Sequence, residues 1–198
     1  MEPPEEFRAG LLVPAHEVQR WLAGCGRGVK VFSGCRIYPP EKVKIGDYSQ
    51  IDEGVWIFAG NGVTIGKHVH MAFASSISGG GQCFIDDFVG VGAGVRLITG
   101  TEEIDGEGLT NPTIPSTFRS ARRGQIKIEA HAVIFTNSII LPDVVIGQGV
   151  VVAAGSLVHH NLQPWGIYAG NPLVQVGVRP KARLLHLASG LLGSEELS

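Results

Sequence analysis

Carboxylate side chains are concentrated in one short stretch near the middle of the chain. Four of them lie within six residues, and three arginines follow; the residues are Glu102, Glu103, Asp105 and Glu107, then Arg119, Arg122 and Arg123. Carboxylates can hold an ammonium group by charge or accept a proton as general bases. A solvated loop with charge runs has the same composition, so the residue types alone leave both interpretations open.

Histidine is the other side chain suited to proton transfer near neutral pH. The charged stretch contains none, so it offers carboxylates only. His68 and His70 are two positions apart, and alternate residues of a strand share a face, so both are predicted to point outward. His131 is expected in a turn, and the pair His159-His160 ends the last repeat.

The cysteines and the bulk composition argue against several classes of protein. Cys25, Cys35 and Cys83 lack the spacing of metal ligands, and their odd number argues against a disulfide framework. Cys83 is expected to be a small buried hydrophobic residue. The net charge of −2 gives no reason to expect nucleic acid as a partner. We find no apolar run long enough to span a bilayer and no signal-peptide pattern, which favours a cytoplasmic protein.

A strict six-residue period predicts the scaffold that positions these groups. Aliphatic residues recur at every sixth position in the C-terminal half, at Ile128, Ile134, Ile140, Ile146, Val152 and Val158. A helix would return apolar residues every three or four positions, whereas a period of six is typical of a hexapeptide-repeat β-helix. Each coil then has three short strands and three turns, and the coils share one apolar core.

The coil starts share a second motif, an aliphatic residue or Cys two positions before an Ile. Ile126 and Val144 are 18 residues apart, which is three hexapeptides, whereas Val43, Val63 and Cys83 are spaced by 20 and predict two extra corner residues. The 28 glycines suit a chain with three turns per coil. We therefore predict an all-β fold, a parallel β-helix over residues 29–178.

The period is absent from three segments, which sets the expected organisation. In residues 1–28, apolar residues at helical spacing over 13–24 predict a helical cap on the first coil. Residues 98–125 interrupt the grid and form an inserted loop that carries the charged stretch, and such insertions are usually functional. Residues 179–198 are predicted to form a short helix over 180–192 and a frayed tail.

These features resemble a known family over roughly residues 30–180. The grid, the inserted loop, and the stretches Val150-Val-Val-Ala-Ala-Gly-Ser-Leu-Val and Tyr168-Ala-Gly-Asn-Pro resemble the left-handed β-helix acyltransferases. The segments Gly106-Glu-Gly-Leu-Thr-Asn-Pro-Thr-Ile-Pro and Pro164-Trp-Gly-Ile-Tyr-Ala-Gly-Asn-Pro are similar to the branch that acetylates sugar nucleotides and surface glycans.

The resemblance implies transfer of an acetyl group from acetyl-CoA to an amino sugar, a nucleotide-linked one used in synthesis of surface polysaccharide such as O-antigen or lipopolysaccharide. It also implies a homotrimer with active sites between subunits, which suits a solenoid whose flat faces have no deep pocket. O-acetylation of a sugar hydroxyl is the main alternative. A non-catalytic scaffold and a γ-type carbonic anhydrase are others, although His68, His70 and His131 lack the zinc-ligand spacing of the latter.

The resemblance also suggests catalytic residues. Many family members have a histidine at the base of the inserted loop, whereas the similar branch has a paired acidic motif whose first carboxylate faces the amino sugar. Glu102 is therefore the first candidate and Glu103 the second. His70 is the third, because the branch carries a histidine near that position.

Coenzyme A is expected along the C-terminal coils, bonded to backbone amides where side chains are small. The candidate contacts are Asn137, Ser138, Ala154 and Ser156. Arg179 and Lys181 are expected to meet the 3′-phosphate, since cationic side chains commonly bind phosphate. No metal site is predicted.

Overall fold

The computed structural model describes residues 10–195, which form a parallel β-helix with a short helix at each end. Its strands, numbered in chain order, fall into three main sheets, one on each face of a triangular solenoid. Neither helix in this range is long and apolar enough to cross a membrane.

Each coil contributes one strand to each face in turn. The first face contains β1 (Gly24–Cys25), β4 (Val43–Ile45), β7 (Gly62–Ile65), β10 (Gln82–Ile85), β15 (Gln125–Ile128) and β18 (Val144–Ile146). The second contains β2 (Lys30–Val31), β5 (Gln50–Ile51), β8 (His70–Met71), β11 (Gly90–Val91), β16 (Val133–Ile134), β19 (Val151–Val152), β21 (Gly166–Ala169) and β22 (Val174–Val178). The third contains β3 (Arg36–Tyr38), β6 (Trp56–Phe58), β9 (Ser76–Ser78), β12 (Arg96–Ile98), β17 (Ile139–Ile140) and β20 (Leu157–Val158).

The core consists of aliphatic side chains stacked in register from coil to coil. On the first face one such row contains Ile45, Ile65, Ile85, Ile128 and Ile146, each at most 2% exposed. Burying a side chain of this size stabilises the fold by about 1.5–3 kcal/mol relative to leaving it in water. The predicted β-helix is confirmed, and Cys83 is fully buried within it, as expected.

Two of the three corners carry contrasting side chains on the same backbone conformation. Between the first and second faces lies the aromatic column, with φ from 52° to 65°: Tyr48, His68, Phe88, His131 and Trp165. The rings of its first four members stack at centroid separations of 5.3, 5.0 and 5.1 Å. Between the second and third faces lies the bare corner, also at positive φ: Gly34, Gly54, Ala74, Gly94, Asn137 and Gly155.

The two helices cover different parts of the solenoid. α1 (Ala15–Trp21) buries Val18 against the first coil, which confirms the predicted helical cap. α2 (Ala182–Glu195) also forms as predicted and lies along the aromatic column. At its end Glu195 Oε1 is 2.8 Å from His68 Nε2, although this contact lacks hydrogen-bond geometry. The predicted frayed tail beyond residue 195 and the first nine residues of the predicted cap lie outside the described residues.

The inserted loop contains a two-stranded hairpin, which the sequence analysis did not predict. β13 (Gly100–Glu102) pairs antiparallel with β14 (Ala121–Arg123), and a 3-10 turn (Ser116–Phe118) lies between them. Strands of three residues are too short, and here too polar, to produce an alternating apolar pattern. The register of the first face resumes directly after the loop, with Cys83 opposite Ile126.

Candidate active site

Glu102 ends the outgoing strand of the hairpin and is held by one arginine. Arg119 Nη1 lies 2.5 Å from Glu102 Oε1, and only 19% and 22% of the Arg119 and Glu102 side chains are exposed. Glu102 Oε2 is buried without a hydrogen-bond partner among residues 10–195. Because a buried acceptor without a donor is costly, this oxygen is suited to accept an N–H group from a ligand.

The other three carboxylates of the stretch are placed differently. The Glu103 backbone N–H donates to Ser120 O at 3.1 Å and holds the hairpin together. Asp105 and Glu107 are exposed, and Asp105 Oδ1 accepts the Glu107 backbone N–H at 3.0 Å, which shapes the turn. Glu102 and Glu103 are thus half-buried, and Glu102 is the one held by an arginine within residues 10–195.

The basic cluster is largely used to fix the hairpin. Arg119 is bound to Glu102, and Arg122 Nη2 contacts Asp143 Oδ2 at the corner between the third and first faces. Asp143 Oδ1 also accepts the backbone N–H of Gln125 at 3.0 Å. These contacts anchor the returning strand to the next coil and place Glu102 beside that corner.

His70 lies in β8, on the outside of the second face. Its Nε2 is 2.8 Å from Asp52 Oδ2, while Gln50 Nε2 donates to Asp52 Oδ1 at 2.8 Å. The sequence analysis missed Asp52 and Gln50. A usable signal was present, because Gln50 and His70 are 20 residues apart, the spacing of these coils, and are paired in register.

His68 does not share this face, so the prediction that both histidines point outward from one strand was wrong. It occupies the corner with φ 52°, and its ring stacks between Tyr48 and Phe88. Alternation holds only within a strand, and His68 precedes β8. His131 is the corner residue that was predicted, and burial, followed by the positive charge of Arg179, lowers its pKa.

The hairpin and His70 are on opposite sides of the solenoid. The loop leaves after β12 on the third face and returns to β15 on the first, so Glu102 and Glu103 lie at the third–first corner. In a triangular section that corner is opposite the second face, which carries His70. A single protomer therefore does not bring the catalytic candidates together.

The small residues expected to meet coenzyme A lie at the bare corner. Asn137 and Ala154 are exposed there. Ser138 and Ser156 are buried, and both hydroxyls donate to Ala153 O, at 2.9 and 2.6 Å. These two hydroxyls support the corner, so a ligand would meet backbone and small side chains.

The two cationic candidates lie at the other edge of the second face, near the aromatic column. Arg179 Nη1 donates to the backbone oxygens of His131 and Gly149 at 2.7 and 3.3 Å, and burial lowers the pKa of Arg179. Lys181 is exposed, with Nζ 5.8 Å from the centroid of the Trp165 ring. The predicted coenzyme A residues are thus divided between two corners.

A further carboxyl group was missed by the sequence analysis. Asp86 follows β10, and partial burial raises its pKa, whereas the charge of Lys127 opposes that shift. The neighbouring Glu129 is satisfied by Lys127 Nζ at 3.3 Å and the Gln148 N–H at 3.0 Å. A shifted carboxyl is often functional, but an Asp after a strand looks like an ordinary turn residue in sequence.

The histidines considered for zinc do not form a set. His68 and His131 are in the aromatic column, whereas His70 is on the second face. Across residues 10–195, no group of three or more His, Cys, Asp or Glu side chains is arranged to hold a metal ion.

Comparison with known proteins identifies the family. The bacterial transferase hexapeptide model (six repeats) matches residues 125–160. The chain is 30% identical to the dTDP-4-amino-4,6-dideoxy-D-glucose acyltransferase of Escherichia coli over 165 residues, which covers 83% of this chain and 85% of that protein.

Comparison with solved structures leads to the same family. AntD, an N-acyltransferase from Bacillus cereus in complex with dTDP and 3-hydroxybutyryl-CoA, is 29% identical and superposes with a TM-score of 0.86 over 93% of this chain and 98% of AntD. A variant of AntD in complex with dTDP-4-amino-4,6-dideoxyglucose and coenzyme A is 28% identical, with a TM-score of 0.85 over 92% and 97%. The chain therefore belongs to the hexapeptide-repeat acyltransferase family, in the branch of the sugar-nucleotide N-acyltransferases.

Proposed function

We propose that this chain transfers an acyl group from acyl-CoA to the amino group of a dTDP-linked amino sugar. The E. coli and B. cereus relatives support the class of acceptor, and acetyl is the donor group expected from the sequence. The product of such a reaction would be an N-acylated sugar nucleotide for surface polysaccharide, made in the cytoplasm.

The assignment to an amine acceptor rests on the hydrogen bonding and burial of the two Glu102 carboxylate oxygens. One oxygen is fixed by Arg119, and the other is buried and lacks a donor among the described residues. An amino sugar in its ammonium form brings the N–H donors and the positive charge that this oxygen needs. Arg119 keeps the carboxylate oriented, so the acceptor meets a group that is already in place.

The active site is proposed to form between two copies of the chain in a homotrimer. The hairpin lies opposite the second face, so Glu102 of one copy and His70 of another can meet only across an interface. Pairing of these two regions also explains how a solenoid with flat faces obtains a cleft.

The bare corner is the part of the surface that fits coenzyme A. Apart from Gly155 and its two chain neighbours, no atom of residues 10–195 lies within 4 Å of the position that a Cβ at Gly155 would occupy, and Ala154 beside it is exposed. A ligand can therefore approach the backbone closely. Bound acyl-CoA supplies the thioester carbonyl, and the chain's own contribution is to hold the amine beside it and exclude water.

Acylation of an amine requires modest help from the protein. The ammonium form first gives up one proton to solvent, and the freed nitrogen lone pair attacks the carbonyl carbon. The carbon–sulfur bond then breaks, and the second proton lost by nitrogen ends on the thiolate. A sugar hydroxyl would need a stronger base than a carboxylate, so O-acylation is the second candidate.

Thiol release tests this proposal directly. Acetyl-CoA and longer acyl-CoA donors are assayed with dTDP-, UDP- and GDP-linked amino sugars. Glu102→Gln is expected to lower kcat/KM by about 100-fold, because removing an acid–base or charge-holding group typically costs that much. The thermal shift produced by coenzyme A should be kept.

Two variants of the same loop serve as comparisons. Glu107→Gln, at an exposed position, should behave like the wild type, and Glu103→Gln reports the second candidate. Absence of thiol release with every donor and acceptor, together with no thermal shift on adding coenzyme A, would overturn the proposed function. A wild-type rate for Glu102→Gln would move the role to another residue.

A further inference from the structure

Three side chains on the second face form a connected polar chain. Gln50 donates to one oxygen of Asp52, and the other oxygen of Asp52 contacts His70 Nε2, both at 2.8 Å. Gln50 and His70 are direct neighbours in adjacent strands, so the backbone fixes both ends of the chain. The Asp52 side chain is 24% exposed and that of His70 is 51% exposed.

The arrangement determines which imidazole nitrogen is available for chemistry. A carboxylate oxygen only accepts, so a neutral His70 in this contact carries its proton on Nε2 and leaves Nδ1 as a free acceptor. Asp52 thereby orients the ring and places a carboxylate beside its Nε2–H group.

The surface beside His70 has room for a ligand. The next position in the same row is Gly90, paired in register with His70, and the one after it is Val133. A Cβ at Gly90 would make only ordinary contact with Val133 at 3.8 Å, so neither packing nor backbone conformation requires glycine there. Because Gly90 has no side chain, a gap remains on the second face between His70 and Val133.

We propose that Asp52 is a positioning residue that makes His70 the proton carrier of the acyl transfer. This inference rests on the proposed function. As the amine nitrogen forms its bond to the carbonyl carbon, its proton passes to His70 Nδ1. The carbon–sulfur bond breaks with its electron pair on sulfur, and His70 returns the proton to the thiolate, so the enzyme ends unchanged.

Two substitutions of Asp52 separate orientation from charge. Asp52→Asn keeps an oxygen that accepts the Nε2 proton and removes the charge, whereas Asp52→Ala removes both. We expect kcat to fall about 100-fold in His70→Asn, at least tenfold in Asp52→Ala, and less in Asp52→Asn, with KM for acyl-CoA unchanged. Glu53→Gln, the same chemical change at the adjacent exposed carboxylate, should leave kcat unchanged.

Nitrogen-15 NMR of the His70 ring gives a readout that a merely structural role would not move. The wild type should show the Nε2–H tautomer, and Asp52→Ala should show a mixture. An active wild type with wild-type kcat in Asp52→Ala, or with the same tautomer in both proteins, would overturn this inference and leave the proposed function standing. If the wild type is inactive with every acceptor, both the proposed function and this role of Asp52 are contradicted.

Discussion

The aromatic column and the bare corner use one backbone conformation for opposite purposes. Both have residues at positive φ, which L-residues with a side chain adopt only at a cost of about 1–2 kcal/mol each. Most residues of the bare corner are glycines, which have no such cost, whereas all five residues of the aromatic column carry a side chain and incur it.

The two corners also differ in what packs against them, and packing offsets the conformational cost in the aromatic column. In the aromatic column the rings stack on one another, and Leu184, Leu187 and Leu191 of α2 line a groove with Phe88 and His131. At the bare corner no side chain of residues 10–195 covers Gly155. The aromatic column is closed by the chain's own side chains, whereas the bare corner leaves its backbone accessible at Gly155.

The largest expected effect comes from adding one methyl group at each edge. Gly149→Ala and Gly155→Ala share a similar φ, 67° and 69°, so the backbone cost should be nearly equal. At Gly149 the new Cβ would overlap the Trp165 ring, whereas at Gly155 it would meet no side chain of the described residues. We expect Gly149→Ala to lose about 2 kcal/mol more unfolding free energy, by urea denaturation at fixed protein concentration. Equal losses would show that Trp165 does not close that edge.

Filling the bare corner should affect ligand binding more than folding. Ala154→Trp is expected to weaken coenzyme A binding by about tenfold or more, equivalent to about 1.4 kcal/mol, as measured by calorimetry. Its unfolding free energy should stay within about 0.5 kcal/mol of the wild type, because the site is exposed. Lys44→Trp, at an exposed position of β4 in an early coil, is the control. Unchanged affinity in Ala154→Trp would place the donor elsewhere.

The smallest effect concerns acid sensitivity of the aromatic column. The pKa of His131 lies below its ordinary value of 6.5 because of burial, so the unfolded chain binds this proton more readily. Stability should therefore fall as pH drops below about 6.5 and level off below the folded pKa. His131→Phe should lose less stability between about pH 7.5 and 5 than the wild type, by well under 1 kcal/mol since the ring is partly exposed. A parallel loss in both proteins would contradict this.

The sequence predicts the repeating core well because each aliphatic position has one environment. The six aliphatic residues at every sixth position from Ile128 to Val158 all face inward, so the period leads directly to the register. The corners follow other rules: His68 looked like a strand residue, since nothing in its local sequence reveals a positive φ. The pairing of Asp52 with His70 depends on neighbours from another coil, which a local pattern does not contain.

The base of the hairpin has a consequence for how this chain can be altered. Thr99 is buried and bonded on both sides, with its hydroxyl donating to Ser78 O at 2.7 Å and accepting the Gly81 N–H at 2.8 Å. Its carbonyl accepts the Gly124 N–H at 2.7 Å, so the two ends of the insertion are pinned together. Because the entropic cost of closing a loop rises slowly with its length, we expect insertions of different lengths to be tolerated between these two residues. A replacement for residues 100–123 would keep this junction at Thr99 and Gly124 but would lose the contact of Arg122 with Asp143, so the graft should restore a cation at that position.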